Sequence, residues 1–330
     1  MKGQLLLCLV LIHTSTADAG LPECANGRWI HQTTDNLPHI DCSRSPVAVR
    51  WSALTPERCA AWQNDEDWPL ADPHIIRKAR WQSARSLAYQ VFRNRVVWIV
   101  GDSITNLFNR GINCEFQRFG LTSVNDDALQ NKFDMISKKD WESGPPYQAL
   151  KYSAANFSWV FKGWHKVFRN EWQIMFDLGD IFIVNYGLHY TRMDEYSEDI
   201  RWLFRECQKR NASKTCIFRE TSAQIFPNGA YTPDSQNGRV CGTDEAKLFS
   251  PDNFVHSQNK KVLEIIKDYP DVKFLPFYNI SAVRADLLEE KFCEIEARRD
   301  NPKAECLDCT HMLMTPTLFA KVVSDLYDVL

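Results

Sequence analysis

Short uninterrupted runs of apolar residues recur along the chain and alternate with longer segments of mixed polarity. The first run, residues 96–100, reads Val-Val-Trp-Ile-Val and stops at Gly101. Such a run predicts a strand that is buried on both faces, which is typical of parallel sheets. Similar runs predict strands over residues 157–161, 181–184, 215–218 and 272–277.

The segments between these runs show apolar residues at helical spacing. Helices are predicted over residues 75–92, 194–210, 254–267, 287–296 and 316–330. Residues 226–250 are rich in Pro, Gly, Asn, Asp and Ser and predict a long surface loop. Because strands alternate with helices, the pattern predicts an α/β protein whose parallel sheet carries helices on both faces.

The stretch with the clearest chemistry is Gly101-Asp102-Ser103, directly after the first strand. Ligands of parallel α/β sheets bind at the carboxyl ends of the strands, so Ser103 is expected at the mouth of the sheet with a helix N-terminus behind it. A hydroxyl group there can act as a nucleophile, and the helix N–H groups can receive an oxyanion. The alternative is that Asp102 or Ser103 only caps the following helix, which both residue types do well.

A second constellation lies near the C-terminus, where Asp308 precedes His311 by three residues. In a loop or turn after the last strand, Asp308 can orient His311, and His311 can remove the proton of Ser103. The alternative is a surface aspartate and a structural histidine. Gly-Asp-Ser after the first buried strand, combined with Asp-x-x-His before the terminal helix, favours a hydrolase or an acyltransferase.

The N-terminal segment is typical of a cleavable signal peptide. Lys2 precedes an apolar run over residues 5–12, and Ala17 and Ala19 are the small residues that a signal peptidase reads. This run is too short to span a bilayer of about 30 Å, and no later stretch is long and apolar enough to do so. We therefore expect a mature chain without a membrane span, located in the secretory pathway, either secreted or in the Golgi or ER lumen.

The expected organisation has three parts. Residues 1–19 form the signal peptide, residues 20–90 form a Cys- and Trp-rich segment packed on the body, and residues 91–330 form the catalytic domain. A segment without a core of its own needs covalent crosslinks for stability, so disulfides are expected to link residues 20–90 to one another or to the body.

Cysteine usage agrees with this compartment. The sequence has 11 cysteines, and removal of Cys8 with the signal peptide leaves an even number, which predicts disulfides in an oxidising environment. The candidates are Cys24, Cys42, Cys59, Cys114, Cys207, Cys216, Cys241, Cys293, Cys306 and Cys309. Cys306 and Cys309 form a Cys-x-x-Cys pair without a second pair to complete a zinc site, so structural bridging is favoured and no metal is expected.

Composition and charge narrow the function classes. A net charge of −3 gives no electrostatic basis for binding nucleic acid. Neither Gly-x-Gly-x-x-Gly nor a Walker A sequence occurs, so a nucleotide-driven reaction has no support. Three sequons, at Asn156, Asn211 and Asn279, are compatible with glycosylation on the secretory route.

Gly101-Asp102-Ser103 together with Asp308-x-x-His311 resembles the SGNH/GDSL superfamily. The longer pattern is similar to its PC-esterase or trichome birefringence-like branch, which comprises polysaccharide O-acetyltransferase-like proteins. The segments that carry this likeness are residues 24–29, 184–190, 219–224 and 308–311. The plant pattern continues after the histidine with Trp-Cys, whereas this chain has Met312 and Leu313, a difference that concerns the acceptor substrate.

The resemblance implies a flavodoxin-like three-layer α/β/α sandwich, the SGNH hydrolase fold, with a disulfide-stapled N-terminal extension. It also implies that Ser103 carries the acyl group, that His311 shuttles the proton and that Asp308 fixes the histidine tautomer. The oxyanion hole would comprise the Ser103 backbone N–H and the Asn185 side chain, with Gly163 as a candidate for the backbone glycine donor.

Three further residues are weak candidates for substrate binding: His189, Arg219 and Gln224. A structural histidine, or an arginine paired with a nearby carboxylate, explains these residue types equally well.

Taken with the resemblance, the sequence predicts transfer of an acyl group, most readily acetyl, to carbohydrate hydroxyls through an ester of Ser103. A secreted carbohydrate esterase with the same triad is the first alternative, because sugar and water attack the same ester. The second is a non-catalytic glycan-binding protein on the same fold. The expected partner is a glycan, and no cofactor is expected beyond an activated acyl donor in the transferase case.

Overall fold

Strand β3 (Val96–Gly101) lies inside a seven-stranded sheet and ends at the Gly-Asp-Ser turn. The computed structural model of this protein describes residues 24–25, 28–29, 84–118, 120–136, 148–164, 166–224, 226, 248–282, 288–290, 307–312 and 316–330. The other strands of the sheet are β4 (Val124–Asn125), β5 (Gln148–Tyr152), β6 (Phe157–Gly163), β7 (Ile181–Val184), β8 (Thr215–Arg219) and β9 (Val272–Leu275).

The order of the strands in the sheet is β4-β5-β6-β3-β7-β8-β9. The five strands from β6 to β9 run parallel, whereas β4 and β5 are antiparallel additions at one edge. Numbered along the chain, the parallel strands have the order 2-1-3-4-5, which is that of flavodoxin-like doubly wound sheets. The predicted α/β class and the mostly parallel sheet are therefore confirmed.

Seven helices accompany these strands within the described residues. They are α1 (Ser103–Arg118), α2 (Asp127–Met135), α3 (Arg169–Leu178), α4 (Met193–Gln208), α5 (Phe254–Ile265), α6 (Tyr278–Ala282) and α7 (Pro316–Val329). A π-helical turn, Leu87–Val91, precedes β3, where the sequence predicted the end of a regular helix.

The two faces of β3 supply two separate cores. Val97 and Ile99 belong to a core that includes residues of α1 and α7, among them Phe108 and Phe319. Trp98 and the other alternate positions belong to a core on the opposite face, built with residues of α2, α3, α4 and α5. Since successive side chains of a strand point to opposite faces, the apolar run at 96–100 serves both layers at once.

Two further strands form an antiparallel pair apart from the main sheet: β10 (Leu288–Glu290) and β11 (Leu307–Met312). The helix predicted over residues 287–296 is wrong at 288–290, where pairing with β11 overrides the helical propensity of Leu and Glu. The remainder of that range lies outside the described residues.

Strand β11 also corrects the expected setting of the C-terminal motif, which lies in a strand and not in a loop. Asp308 is paired with Glu289, but the next partner pair is Leu288 with Met312. Residues 309–311 therefore form a bulge on β11. A bulge interrupts the alternation of faces, so the direction of His311 is not tied to the pairing on either side.

One disulfide joins Cys207, near the end of α4, to Cys216 in β8. Both cysteines are buried in the core on the α4 side of the sheet. Cys114 and Cys309 are disulfide-bonded as well. The side chain of Cys24 and all of Cys42, Cys59, Cys241, Cys293 and Cys306 lie outside the described residues, so the staples expected over residues 20–90 stay a prediction.

Contacts divide the chain into two units, residues 1–41 and 42–330. In the first unit, β1 (Cys24–Ala25) and β2 (Arg28–Trp29) form a short antiparallel pair. The expected signal peptide over residues 1–19 and the loop over residues 227–247 lie outside the described residues. Among the helices that are described, none has the length and apolar character needed to cross a membrane.

Candidate active site

The Gly-Asp-Ser turn is shaped by close packing between β3, α1 and β7. Gly101 has a φ of +153°, and a Cβ atom added to it would lie 2.3 Å from Thr105 Oγ1 and 2.5 Å from the backbone oxygen of Asn185. Only glycine fits this close approach. The sharp turn that results places the first residue of α1, Ser103, at the carboxyl end of the sheet.

Asp102 is the cap of helix α1. Its Oδ1 accepts hydrogen bonds from the backbone N–H groups of Ile104 and Thr105, each at 3.1 Å. The capping role that the sequence offered as the alternative is therefore taken by Asp102. This arrangement fixes the helix terminus and leaves the side chain of Ser103 available for other contacts.

Ser103 and His311 meet across 208 positions of sequence. His311 Nε2 lies 2.8 Å from Ser103 Oγ, within hydrogen-bonding distance, and both side chains are partly buried. The backbone of Asp308 is placed in β11, but its side chain lies outside the described part of the chain. The orienting role of Asp308 thus stays a prediction.

A cavity of about 720 Å³ opens beside Ser103. At the end near Ser103 it is lined by Gly101, Asp102, Gly163 and Trp164, where β3 and β6 end side by side. The other described residues that line it include Asn125, Asp126, Asp127, Gln130, Gln148, Ala149 and Phe161. A volume of this size is in the range of small-molecule sites, and the amide and carboxylate side chains give it a polar character.

Two residues of α1 that sequence reasoning missed line the same cavity: Asn106 and Arg110. They follow Ser103 by three and seven residues, the spacing at which side chains share one face of a helix. Burial lowers the pKa of Arg110 from its usual value. The signal was present in the sequence, because any helix that starts at Ser103 places these positions beside it.

The structure corrects the expected role of Asn185. Its side chain is 1% exposed and does not line the cavity in the described residues. Asn185 Nδ2 donates to the backbone oxygen of Arg219 at 2.9 Å and to Thr221 Oγ1 at 3.0 Å. Both amide hydrogens are therefore used to tie β7 to the end of β8, and an oxyanion would find neither of them.

Arg219 is likewise structural and does not line the cavity. Its guanidinium group lies between the rings of Phe108 and Phe277, at 5.2 and 5.0 Å, and donates to Thr105 Oγ1 at 3.1 Å. Burial lowers the pKa of Arg219 to about 10, an effect that the charges of Asp102 and Glu220 oppose. Arg219 therefore supports the first turns of α1 and does not make the substrate contact that the sequence suggested.

The other two weak candidates also lie outside the cavity lining. His189 is exposed on the segment after β7, and Gln224 is buried beyond β8. The three sequon asparagines, Asn156, Asn211 and Asn279, are all exposed, a placement that is compatible with glycosylation.

A buried ion pair lies behind the cavity wall. Lys162 Nζ is 3.2 Å from Glu171 Oε2, and the two side chains are 1% and 0% exposed. The ammonium group also lies 5.3 Å from the centre of the Trp164 ring. Burial lowers the pKa of Lys162, and Glu171 opposes this shift. The ion pair therefore lies next to Trp164, the residue after Gly163, and holds the end of β6 in place.

Within the described residues, no group of three or more His, Cys, Asp or Glu side chains is arranged to hold a metal ion. The reactive groups that the structure brings together are a hydroxyl, an imidazole and, at the first position of helix α1, the backbone N–H of Ser103. Such a set can attack a carbonyl carbon and receive the resulting negative charge.

Comparisons with protein families, curated proteins and solved structures yield few matches to this chain. No protein-family model matches the chain, and no curated protein matches it. Among solved structures, the chain is similar to a protein named as a "GDSL-like lipase" from Parabacteroides merdae, with a TM-score of 0.39 and 11% sequence identity over 73% of this chain and 99% of that one. We therefore infer the chemistry of this protein from its own residues.

Proposed function

We propose that this protein is an SGNH-type enzyme that moves an acyl group, acetyl in the first instance, through an ester of Ser103. The observation that carries the proposal is the distance of 2.8 Å between His311 Nε2 and Ser103 Oγ at the carboxyl end of a parallel sheet. Nucleophile and base at this separation are the diagnostic pair of serine-dependent acyl chemistry.

In the first half of the reaction, Ser103 Oγ attacks the acyl carbonyl carbon and its proton passes to His311 Nε2. The carbonyl oxygen becomes an oxyanion next to the first turn of α1, where the Ser103 N–H is one donor and Gly163 is a second candidate. The bond from the acyl carbon to the leaving oxygen then breaks, and His311 returns the proton to the leaving group.

In the second half, an acceptor hydroxyl gives its proton to His311 and attacks the acyl carbon of the Ser103 ester. The bond between the acyl carbon and Ser103 Oγ then breaks, His311 returns the proton to Ser103 Oγ, and the acylated acceptor leaves. We propose a carbohydrate hydroxyl as the acceptor, because amide side chains line the cavity at Asn106, Asn125, Gln130 and Gln148. Amides donate and accept hydrogen bonds, which matches the hydroxyl groups of a sugar.

Hydrolysis is the second candidate, since the rim of the cavity reaches solvent. Gln148 and Asp127 line it and are exposed, so water has access to an acyl group on Ser103. Water attacking in place of a sugar would make the same site an esterase.

The test is the intact mass of the protein after incubation with 4-nitrophenyl acetate, with and without an oligosaccharide acceptor. Wild type should gain one acetyl group and Ser103→Ala should not, whereas Ser153→Ala, a change at an exposed serine in the β5–β6 turn, should behave as wild type. Faster discharge with sugar than without it supports transfer, and equal discharge supports hydrolysis. A wild type that forms no adduct and shows no turnover would contradict the proposal and leave the glycan-binding alternative.

A further inference from the structure

The surface of α1 that faces the cavity extends well beyond the reacting atoms. Ser103, Asn106 and Arg110 all line the cavity from this helix. At a rise of about 1.5 Å per residue, the Cα atom of Arg110 lies about 10 Å along the axis from that of Ser103. An acetyl group fills only the space near Ser103, so the region near Arg110 contacts a more distant part of the substrate.

We propose that Arg110 forms a subsite for an anionic substituent, a carboxylate or a sulfate ester, on the sugar that gives or receives the acyl group. This inference rests on the proposed function and names the substrate class of that same site, an acidic glycan. Arginine is suited to the task because its planar fork of N–H donors matches the paired oxygens of such groups.

The position of Arg110 strengthens this pairing. Its side chain is partly withdrawn from water, and that burial is what lowers its pKa. In a site of reduced dielectric constant, a cation attracts an anion more strongly than it does at an open surface. The guanidinium also interacts with other parts of the chain, and its five N–H donors allow it to serve a ligand at the same time.

Three carboxylates are among the described residues that line the same cavity. Asp102 is buried at the Ser103 end, where its Oδ1 caps α1. Asp126 is buried and fully engaged, since Oδ1 accepts from the Leu129 N–H at 3.0 Å and Oδ2 accepts from the Ser158 hydroxyl at 2.5 Å. Asp127 is exposed at the rim, where solvent screens its charge. Among the described lining residues, Arg110 is the one cationic side chain.

The binding test uses unesterified oligosaccharides and needs no turnover. We compare oligogalacturonate, a neutral oligosaccharide of equal length and a sulfated version of that neutral chain by calorimetry. Wild type should bind at least one of the two anionic ligands about tenfold more tightly than the neutral one, the scale of a hydrogen bond to a charged group at a partly exposed site. The preferred anion identifies carboxylate or sulfate as the natural substituent.

Arg110→Gln should abolish that preference, and Arg110→Lys should retain part of it, because the charge remains but the fork is lost. The control is Lys132→Gln, which removes an exposed positive charge on α2 and should leave the preference unchanged. Equal binding of all three ligands by wild type would overturn the proposal, as would a preference that survives in Arg110→Gln.

The kinetic test separates this inference from the proposed function. The ratio of kcat/KM for acetylated acidic over acetylated neutral oligosaccharide should fall about tenfold in Arg110→Gln. If wild type turns over 4-nitrophenyl acetate but has equal kcat/KM for the acidic and the neutral sugar ester, the subsite proposal is wrong and the proposed function is not affected. If wild type binds the anionic ligand selectively but shows no turnover, the proposed function is wrong and the subsite is supported.

Discussion

Replacement of Glu171 by Gln tests how much the buried ion pair behind the cavity contributes to stability. The substitution keeps the shape of the side chain but removes the carboxylate 3.2 Å from Lys162 Nζ, at a position where both side chains are at most 1% exposed. Removal of one partner of such a pair costs about 3–5 kcal/mol, because the remaining charge stays buried and loses its opposite charge.

The pH dependence of this variant follows from the pKa of Lys162. Burial lowers that pKa, and Glu171 opposes the shift, so the loss of Glu171 should lower it further. The unfolded chain then binds more protons than the folded one between the lowered pKa and about 10.4, the usual value for lysine. The free energy of unfolding of Glu171→Gln should therefore rise with pH over that window, and its deficit relative to wild type should shrink between the Lys162 pKa of the variant and that of wild type.

The assay is urea denaturation followed by tryptophan fluorescence, with Glu195→Gln as the matched control. Glu195 forms an ion pair of 2.6 Å with Lys166, but these side chains are 39% and 51% exposed. Exposed pairs contribute about 0–1 kcal/mol, so the control should lose little stability. If Glu171→Gln loses no more than Glu195→Gln, burial does not amplify the pair and the reasoning is wrong.

Three further predictions concern the body of the fold. Replacing Cys207 and Cys216 together by Ala should lower the free energy of unfolding by about 2–3 kcal/mol, from the entropy of a short closed loop, and equal stability of variant and wild type in urea would contradict this. Gly111→Ala should cost about 1–3 kcal/mol because the added Cβ would lie 2.2 Å from the Phe319 ring, and a thermal scan should show partial recovery when Phe319→Leu is added. Stability should also fall as pH rises above 10, since burial keeps five tyrosines protonated in the folded state while the same groups ionise in the unfolded chain. The share of tyrosinate absorbance that comes from these five of the ten tyrosines should therefore appear only together with unfolding. The five are Tyr152, Tyr186, Tyr190, Tyr196 and Tyr278.

The sequence predicts the parallel part of the sheet because that part follows a local rule. A strand buried on both faces must be apolar throughout, and residues 96–100 and 181–184 obey this without exception. The antiparallel edge, β4 and β5, was not predicted. Gln148 and Val124 are exposed there, so those strands lack the continuous apolar signal.

Tertiary pairing accounts for the error at β10. Residues 287–296 contain Leu and Glu, which favour a helix when considered alone, and only the distant β11 makes residues 288–290 a strand. Such information is absent from any local window.

The candidate site likewise contains residues that a local sequence signal identifies and residues that only the folded structure explains. Ser103 and His311 were identified by motif, and the structure brings them together. Arg219 and Asn185 are residue types common in active sites, and only their burial reveals a structural use. Arg110 belongs to no motif. Its spacing of seven residues from Ser103 is the one sequence feature that indicates a position on the same face of α1.

The distance along the chain between Ser103 and His311 has a consequence for synthesis. By the time β9 has been made, all five parallel strands and Ser103 exist, but His311 is still missing. Residues 307–330 then contribute both His311 and helix α7, whose Phe319 packs in the core with α1. Under the proposed function, activity would therefore begin in the same event in which α7 packs against α1. A chain that ends before residue 307 would then form no Ser103 ester, and a separately supplied segment of residues 307–330 would be expected to restore core and chemistry together.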